Sequence, residues 1–563
     1  MLSEKNFPNV SLVDYLNSLH NVSANNQNAI TELSITNPYF NKTMVTRDVG
    51  IQISISLDKN PAHIFVLTGH AGDGKTGLLY QILKMWSVIN DGDELKSSDI
   101  VNMPSGKPVR YIKDFSEFES EKRNNLIDQA KEDCSNGIST FLVANTGPLI
   151  KSIEACFSEN DSINFISAID DNHGEIKDYS GTKMSVINVA TIDNSSFVKP
   201  FLNKLISDEM WKPCQDCDKC SYCAIYNNRC LMSASSEKIS DFITNHYIYQ
   251  LEYGKKLTIR QIVAHLSFTI TGGLSCKNIR NVERAKFLYL FVNNFFGYKG
   301  LNINKEALNM NAINDIVEAA YDNKRLRADE KLFIKDDLSD NFDFTIENML
   351  RAEGARSHYC EEWQRAVRRA YMMLNIDTDA TANINLMQDV FSLWFPRYLQ
   401  LRNGTSPASR DKDLIQDALQ MLFTESIKSK ENEIPVTMKR DNGITQCVQL
   451  VYDSKPKKKI KIEPVIVNDF CNSQKRYNIY VSVDGVRIDT RLSLPLFDYF
   501  EEIRRGAIAT DIDPMLSQGI DSLKAQIISS CDSDKSEIEL LILTESCWET
   551  VNAEYENQEW IIK

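Results

Sequence analysis

Two short stretches of this chain combine residue types and spacings that could do chemistry. The first is GHAGDGKT, residues 69–76, which fits the pattern G-x-x-x-x-G-K-[ST] without a mismatch. In a strand–loop–helix setting such a loop binds phosphate, because backbone N–H groups and a helix N-terminus supply partial positive charge. Gly69 and Gly74 would let the backbone approach the ligand, with Gly72 and Gly77 in the same loop and first helical turn. Lys75 would reach the β- and γ-phosphates, and the Thr76 hydroxyl would join the shell of a Mg²⁺ ion. The bland alternative is a glycine-rich turn with an incidental lysine. The second stretch is CQDCDKCSYCAIYNNRC, carrying Cys214, Cys217, Cys220, Cys223 and Cys230. Four thiolates at this spacing suit tetrahedral Zn²⁺, so four of the five are expected to be ligands. The C-x₂-C-x₂-C run equally suits an iron–sulfur cluster.

Nucleotide hydrolysis also needs an acid for the metal and a group that orients water. In RYIKDFSE, Asp114 ends an apolar strand and Glu117 follows three residues later. Asp114 is the candidate for the Mg²⁺ shell and Glu117 for the water base. The competing reading makes Asp114 a helix cap after an ordinary strand. Asn145, at the tip of FLVANTG, is a candidate γ-phosphate sensor or a simple turn residue. Arg260, opening a helix in LTIRQIVAHL, is a candidate lid arginine or a surface arginine. AIDDNHGE places Asp170, Asp171 and His173 in what reads as a solvated loop.

The elements that must position these residues are legible as apolar runs. AHIFVLTG reads as a buried strand and TGLLYQILKMWSVI as the helix after the loop. VRYIKDF, STFLVANTG and MSVINVATID read as further strands, with a helix over EKRNNLIDQAKEDCSNG. Strands alternating with helices imply a parallel sheet with helices on both faces. The expected fold is therefore an α/β P-loop NTPase domain over 56–200, preceded by a polar arm, 1–55. A cysteine-rich zinc-binding insertion would follow over 201–236, then a helical lid domain over 237–430 and a small α+β domain over 431–563. In the last of these, SKPKKKIKIEP reads as a lysine-protected hairpin edge or as a contact for nucleic-acid phosphates. Arg365, Arg368 and Arg369 form either a phosphate-facing stripe or a solvated helix face.

The 563 residues carry a formal net charge of −14, which disfavours a general nucleic-acid coat. No stretch approaches the ~18 apolar residues of a membrane span, and MLSEKNFPNVSLVDYL lacks the basic and apolar segments of a secretory signal. Thirteen cysteines, five of them clustered, suit metal ligation in a reducing cytoplasm.

VRYIKDFSE, STFLVANTGPL, the cysteine cluster, LTIRQIVAHLSFTITGGLSC and LSLPLFDYFEEIRRG together resemble the P-loop ATPase subunits of bacterial anti-phage systems. The DptF type, from DNA phosphorothioation-dependent restriction modules, is the form they are most similar to. This resemblance implies a cytoplasmic AAA+-like or STAND-like ATPase that works in a homo-oligomer. Other subunits of a defence system would be its partners, and DNA would be met directly or through them. Gly69, Gly74, Lys75 and Thr76 carry over from the resemblance, as do Asp114 and Asn145. Two other functions stand beside it: a nucleotide-gated scaffold with little hydrolysis, and a DNA translocase or helicase. With no guanine-reading N-K-x-D element, ATP is the expected nucleotide.

Overall fold

The computed structural model describes residues 11–20, 37–279, 281–376, 382–425, 431–438, 448–467, 475–506, 512–531, 537–544, 548–556 and 559–562. Parts of the expected arm (1–10 and 21–36) lie outside them. Two compact units divide the chain, the first over 1–390 with 468–473, the second over 391–467 and 474–563. The boundary therefore falls before the helices Phe395–Arg402 and Ser409–Thr424, not after them as the sequence suggested.

Unit 1 is built on a six-stranded sheet. Its strands are β1 (Ile64–Thr68), β2 (Ser98–Asn102), β3 (Pro108–Ile112), β4 (Ser139–Val143), β5 (Lys177–Tyr179) and β6 (Thr182–Asn188), in the order β2-β3-β4-β1-β6-β5. β3, β4, β1 and β6 run parallel, while β2 and β5 add antiparallel edges. All five residues of β1 are buried, as a central parallel strand covered on both faces requires. Its side chains alternate between two cores. Phe65 and Leu67 meet Leu78, Leu79, Ile82 and Leu83 of the helix Lys75–Met85. Ile64 and Val66 meet Ile127, Leu149 and Phe165 of the helices Ser120–Ser135, Thr146–Cys156 and Glu159–Asp171. The expectation of a mostly parallel sheet with helices on both faces is met.

The segment 1–55 reads in sequence as an arm that packs on the next domain or on a neighbouring subunit, and its last described part packs on the sheet. The helix Asp48–Lys59 places Val49, Ile53 and Leu57, each at most 1% exposed, in the first of these cores. The IQISIS run alternates like a strand, which hid its four-residue spacing. The rest of unit 1 is mainly helical, including Asp208–Gln215, Ala224–Ala234, Ser236–Glu252 and Ile259–Thr271. The arginine stripe is also corrected. Arg369 is fully buried against Asp322 at 2.5 Å, Arg368 pairs with Asp329 at 2.8 Å, and Arg365 pairs with Glu361 at 2.7 Å. Arg368 and Arg369 are committed to internal ion pairs, while the Arg365 pair lies on the helix surface, so the three form neither a phosphate-facing stripe nor a uniformly solvated face. Asp170 and Asp171 end the helix Glu159–Asp171 rather than lying in a loop, and His173 follows them, exposed.

Unit 2 joins helices to a five-stranded and a three-stranded antiparallel sheet. Ile460–Ile466 is an edge strand carrying the exposed Lys461, as the hairpin-edge reading expected. Lys455 is instead buried beside Asp453 at 2.8 Å. Among the described residues no helix is long and apolar enough to cross a membrane.

Candidate functional site

The loop 69–76 leaves the carboxyl end of β1 with three glycines at positive φ: Gly69 at 150°, Gly72 at 92° and Gly74 at 79°. L-residues rarely adopt such angles, and the close neighbours reinforce the requirement. A Cβ at Gly69 would lie 2.7 Å from Val189 Cγ2, and one at Gly72 would lie 3.1 Å from Thr258 Oγ1. The loop is thus wedged between the end of β6 and the start of the helix Ile259–Thr271.

Lys75 is the first residue of its helix and only 8% exposed. Its Nζ donates to the carbonyl oxygens of Gly69 (3.0 Å) and His70 (2.7 Å) and to Asn145 Oδ1 (2.8 Å). Burial pushes the lysine below its ordinary pKa. Asp73 and Asp114 oppose that shift, and the positive charge of Arg260 adds to it. Asn145 occupies the N-cap position of the helix Thr146–Cys156, yet its side chain makes no cap hydrogen bond and serves Lys75 instead. Its backbone N–H donates to Ser116 Oγ at 2.6 Å.

Thr76 Oγ1 lies 3.5 Å from Asp114 Oδ1, long for an O–H···O bond, whose usual length is ~2.7–2.8 Å. Asp114 sits in the left-handed region at φ 51°, makes no side-chain cap bond, and has Lys113 Nζ 3.4 Å from its Oδ2. Asp114 thus stands at the N-cap position of the turn Phe115–Glu117 without a side-chain cap bond, and its nearest described hydroxyl is that of Thr76. Glu117 is exposed at the end of the 3₁₀ turn Phe115–Glu117. Its side chain makes no hydrogen bond to Lys75, Thr76 or Asn145 among the described residues.

Arg260 is brought to the loop by its backbone, whose N–H donates to the Gly72 carbonyl at 3.1 Å. The Thr258 cap and its capping box with Gln261 fix that helix start. The N-terminal ends of three helices, starting at Lys75, Thr146 and Ile259, therefore meet at one loop. Gly77 has no neighbour within 4 Å of an added Cβ, so it shapes the loop less than the other glycines.

Sequence reasoning missed three supporting residues. Asp73, 2% exposed, accepts the His70 N–H at 2.8 Å and braces the loop from within. Arg47 Nη1 donates to the Asp73 carbonyl at 2.9 Å, and its backbone is fastened to Gln81. Ser116 holds Asn145 in place. Asp73 lies inside the motif at a position the pattern leaves open, and nothing in the sequence links Arg47 to the loop.

The cysteine segment is less closely gathered. Among the described residues, no three or more His, Cys, Asp or Glu side chains stand close enough to hold a metal ion. Cys223 is buried, Cys214 and Cys220 are half-buried, and Cys217 and Cys230 are exposed.

No family model, curated protein or solved structure matches this chain.

Proposed function

We propose that unit 1 binds ATP with Mg²⁺ at the carboxyl end of β1 and hydrolyses it. The observation that carries this reading is the Lys75 ammonium, buried and held by Gly69, His70 and Asn145. The site lies where β1 is flanked by β4 and β6, beyond the carboxyl ends of parallel strands, a place where open α/β sheets bind ligands. On this reading Lys75 exchanges its loop carbonyls for the β- and γ-phosphates. Gly69, Gly72, Gly74 and the helix start offer backbone N–H groups. Thr76 and Asp114 hold the Mg²⁺ shell, and Asn145, released by Lys75, orients the attacking water.

The sequence resemblance extends the proposal to a defence role. ATP state would govern assembly of a complex with partner subunits that act on DNA, within a homo-oligomer whose neighbouring arginines complete the site. Turnover of ATP by the wild type and Lys75→Ala, with and without double-stranded DNA, tests both layers. Turnover lost in the variant supports the ATPase, and stimulation by DNA supports the DNA-directed role. Equal turnover in wild type and variant overturns the site. One observation favours a second reading, a nucleotide-gated scaffold with little hydrolysis: Glu117, the expected water base, is exposed and makes no hydrogen bond to Lys75, Thr76 or Asn145 among the described residues. Tight ATP binding without single-turnover hydrolysis would select the scaffold.

A further inference from the structure

The phosphate loop is held from behind by a residue that lies outside its motif. Arg47 is 5% exposed and stands at the N-cap position of the helix Asp48–Lys59. Its Nη1 donates to the Asp73 carbonyl at 2.9 Å. A Cβ at Gly74, which sits at φ 79°, would lie 3.1 Å from the same Nη1. The guanidinium therefore fills the space on the interior side of the Asp73–Gly74 peptide, and only a glycine at 74 lets it come so close. The C=O and N–H of a trans peptide point in opposite directions. With its carbonyl pinned to a buried guanidinium, this peptide turns its N–H, that of Gly74, away from the interior and toward the side where a ligand would lie.

Arg47 is itself fixed by elements on other sides. Gln81, buried in the helix Lys75–Met85, accepts the Arg47 N–H through Oε1 (3.0 Å) and donates to the Arg47 carbonyl through Nε2 (2.9 Å). One side-chain amide thus satisfies both backbone groups of Arg47. The helix Asp48–Lys59 closes over that amide, because a Cβ at Gly50 would lie 2.8 Å from Gln81 Nε2. The guanidinium carbon stands 5.1 Å from the centroid of the Phe197 ring, a cation–π contact. Phe197 ends the turn Ser195–Phe197, and Asn194, just before that turn, donates to the Leu257 carbonyl at 3.0 Å, beside the Thr258 cap. Arg47 therefore joins the segment before β1, the loop, the helix after the loop, and the turn that is tied to the start of the helix Ile259–Thr271.

We propose that Arg47 is a positioning residue for the bound nucleotide phosphates. Its guanidinium holds the Asp73–Gly74 peptide with the Gly74 N–H facing the anion, and its charge adds to the positive potential of the loop from the interior, where salt screens it little. Arg47 touches neither the phosphates nor the reacting atoms. It therefore sets nucleotide affinity and leaves the rate of the chemical step nearly unchanged, the pattern of binding lost equally from ground and transition states. The inference rests on the reading of residues 69–76 as a phosphate site. It extends that reading by placing a determinant of affinity in the N-terminal segment, some twenty residues before the motif begins.

The test is ATP titration and turnover of the full-length chain in wild type, Arg47→Met, Arg47→Lys and Lys75→Ala. Arg47→Met keeps an unbranched stem against Phe197 and removes both charge and donor. It is expected to raise Kd and KM for ATP about tenfold or more, with kcat within about threefold of wild type. Arg47→Lys returns a charge and one donor, and its affinity should lie within about threefold of wild type. Affinity lost in Lys75→Ala but kept within about twofold in Arg47→Met overturns this inference alone. Affinity indifferent to Lys75→Ala overturns the phosphate-site reading and this inference with it. An Arg47→Met defect confined to kcat, or an Arg47→Lys as weak as Arg47→Met, also overturns the positioning role. A folding failure of Arg47→Met is bypassed by amide hydrogen exchange of the wild type. ATP is expected to slow exchange over residues 44–50 together with 69–76, and protection confined to 69–76 overturns the inference.

Discussion

The phosphate loop and the cysteine segment belong to the same unit, yet they differ in how finished they are. In the loop, the central lysine and the turn around it are already held. Lys75 has three acceptors, Asp73 braces the turn, and Arg47 and Gly72 bind it to neighbouring elements. In the cysteine segment the backbone makes successive tight turns while the sulfurs remain apart. The first site is preorganised by hydrogen bonds within the protein. The second has no such network of hydrogen bonds around its thiols among the described residues.

The sharpest way to break this comparison is to remove the central charge of the loop. Lys75→Ala is expected to lower ATP turnover by about 100- to 1,000-fold, the usual consequence of losing one preorganised electrostatic donor. Steady-state hydrolysis checks it, and thermal unfolding should show the fold intact. A loss under tenfold would mean that the loop's hydrogen bonds are structural and that the anion sits elsewhere.

Next come the two acids, which the sequence could not rank. Asp114 faces Thr76, whereas Glu117 is exposed. Asp114→Asn is expected to reduce turnover about 10- to 100-fold and to raise the Mg²⁺ requirement, as loss of a partner in a metal's outer shell does. Glu117→Gln should stay within about twofold, having no interaction in the site to lose. Magnesium titrations of both variants give the comparison, and a larger defect in Glu117→Gln would reverse the assignment.

What was legible follows from contiguity. IFVLT and GHAGDGKT state their strand, turn and helix start in consecutive residues, and local backbone physics decides the outcome. The neighbours that complete the loop come from distant segments: Arg47 from the N-terminal part, Ser116 from after β3, Thr258 from the helical region. No spacing rule connects them to Lys75. The arginines at 368 and 369 misled because helical spacing cannot tell a solvated charge, such as Arg365, from one paired internally with Asp322 or Asp329.

The zinc expected from the cysteine spacing would also separate the two sites under chelation. A zinc chelator is expected to lower the thermal midpoint of unit 1 by about 5 °C or more, as loss of a few kcal/mol would in a large domain. ATP affinity measured well below that midpoint should change less than about threefold, a shift under 1 kcal/mol. Parallel calorimetry and nucleotide titration check this. A collapse of ATP binding at low temperature would show the two sites to be coupled rather than independently held.

The finest distinction lies within the loop, between glycines that the motif treats alike. Gly72 sits at φ 92°, and a Cβ there would meet Thr258 Oγ1 at 3.1 Å and Arg260 Cβ at 3.4 Å. Gly72→Ala therefore carries a backbone cost of roughly 1–2 kcal/mol, and it also pushes the loop away from the helix Ile259–Thr271. ATP affinity should fall about tenfold, equivalent to ~1.4 kcal/mol. Gly77 lies in the first turn of the helix Lys75–Met85 with open space around its added Cβ. Gly77→Ala should then stabilise unit 1 by about 0.5–1 kcal/mol, the usual gain over glycine inside a helix, and keep wild-type ATP affinity. Denaturant midpoints and nucleotide titrations of the two variants separate the roles. If Gly77→Ala weakens ATP binding as much as Gly72→Ala does, bound phosphate approaches the backbone at Gly77, and that glycine is kept open for the ligand rather than for the fold.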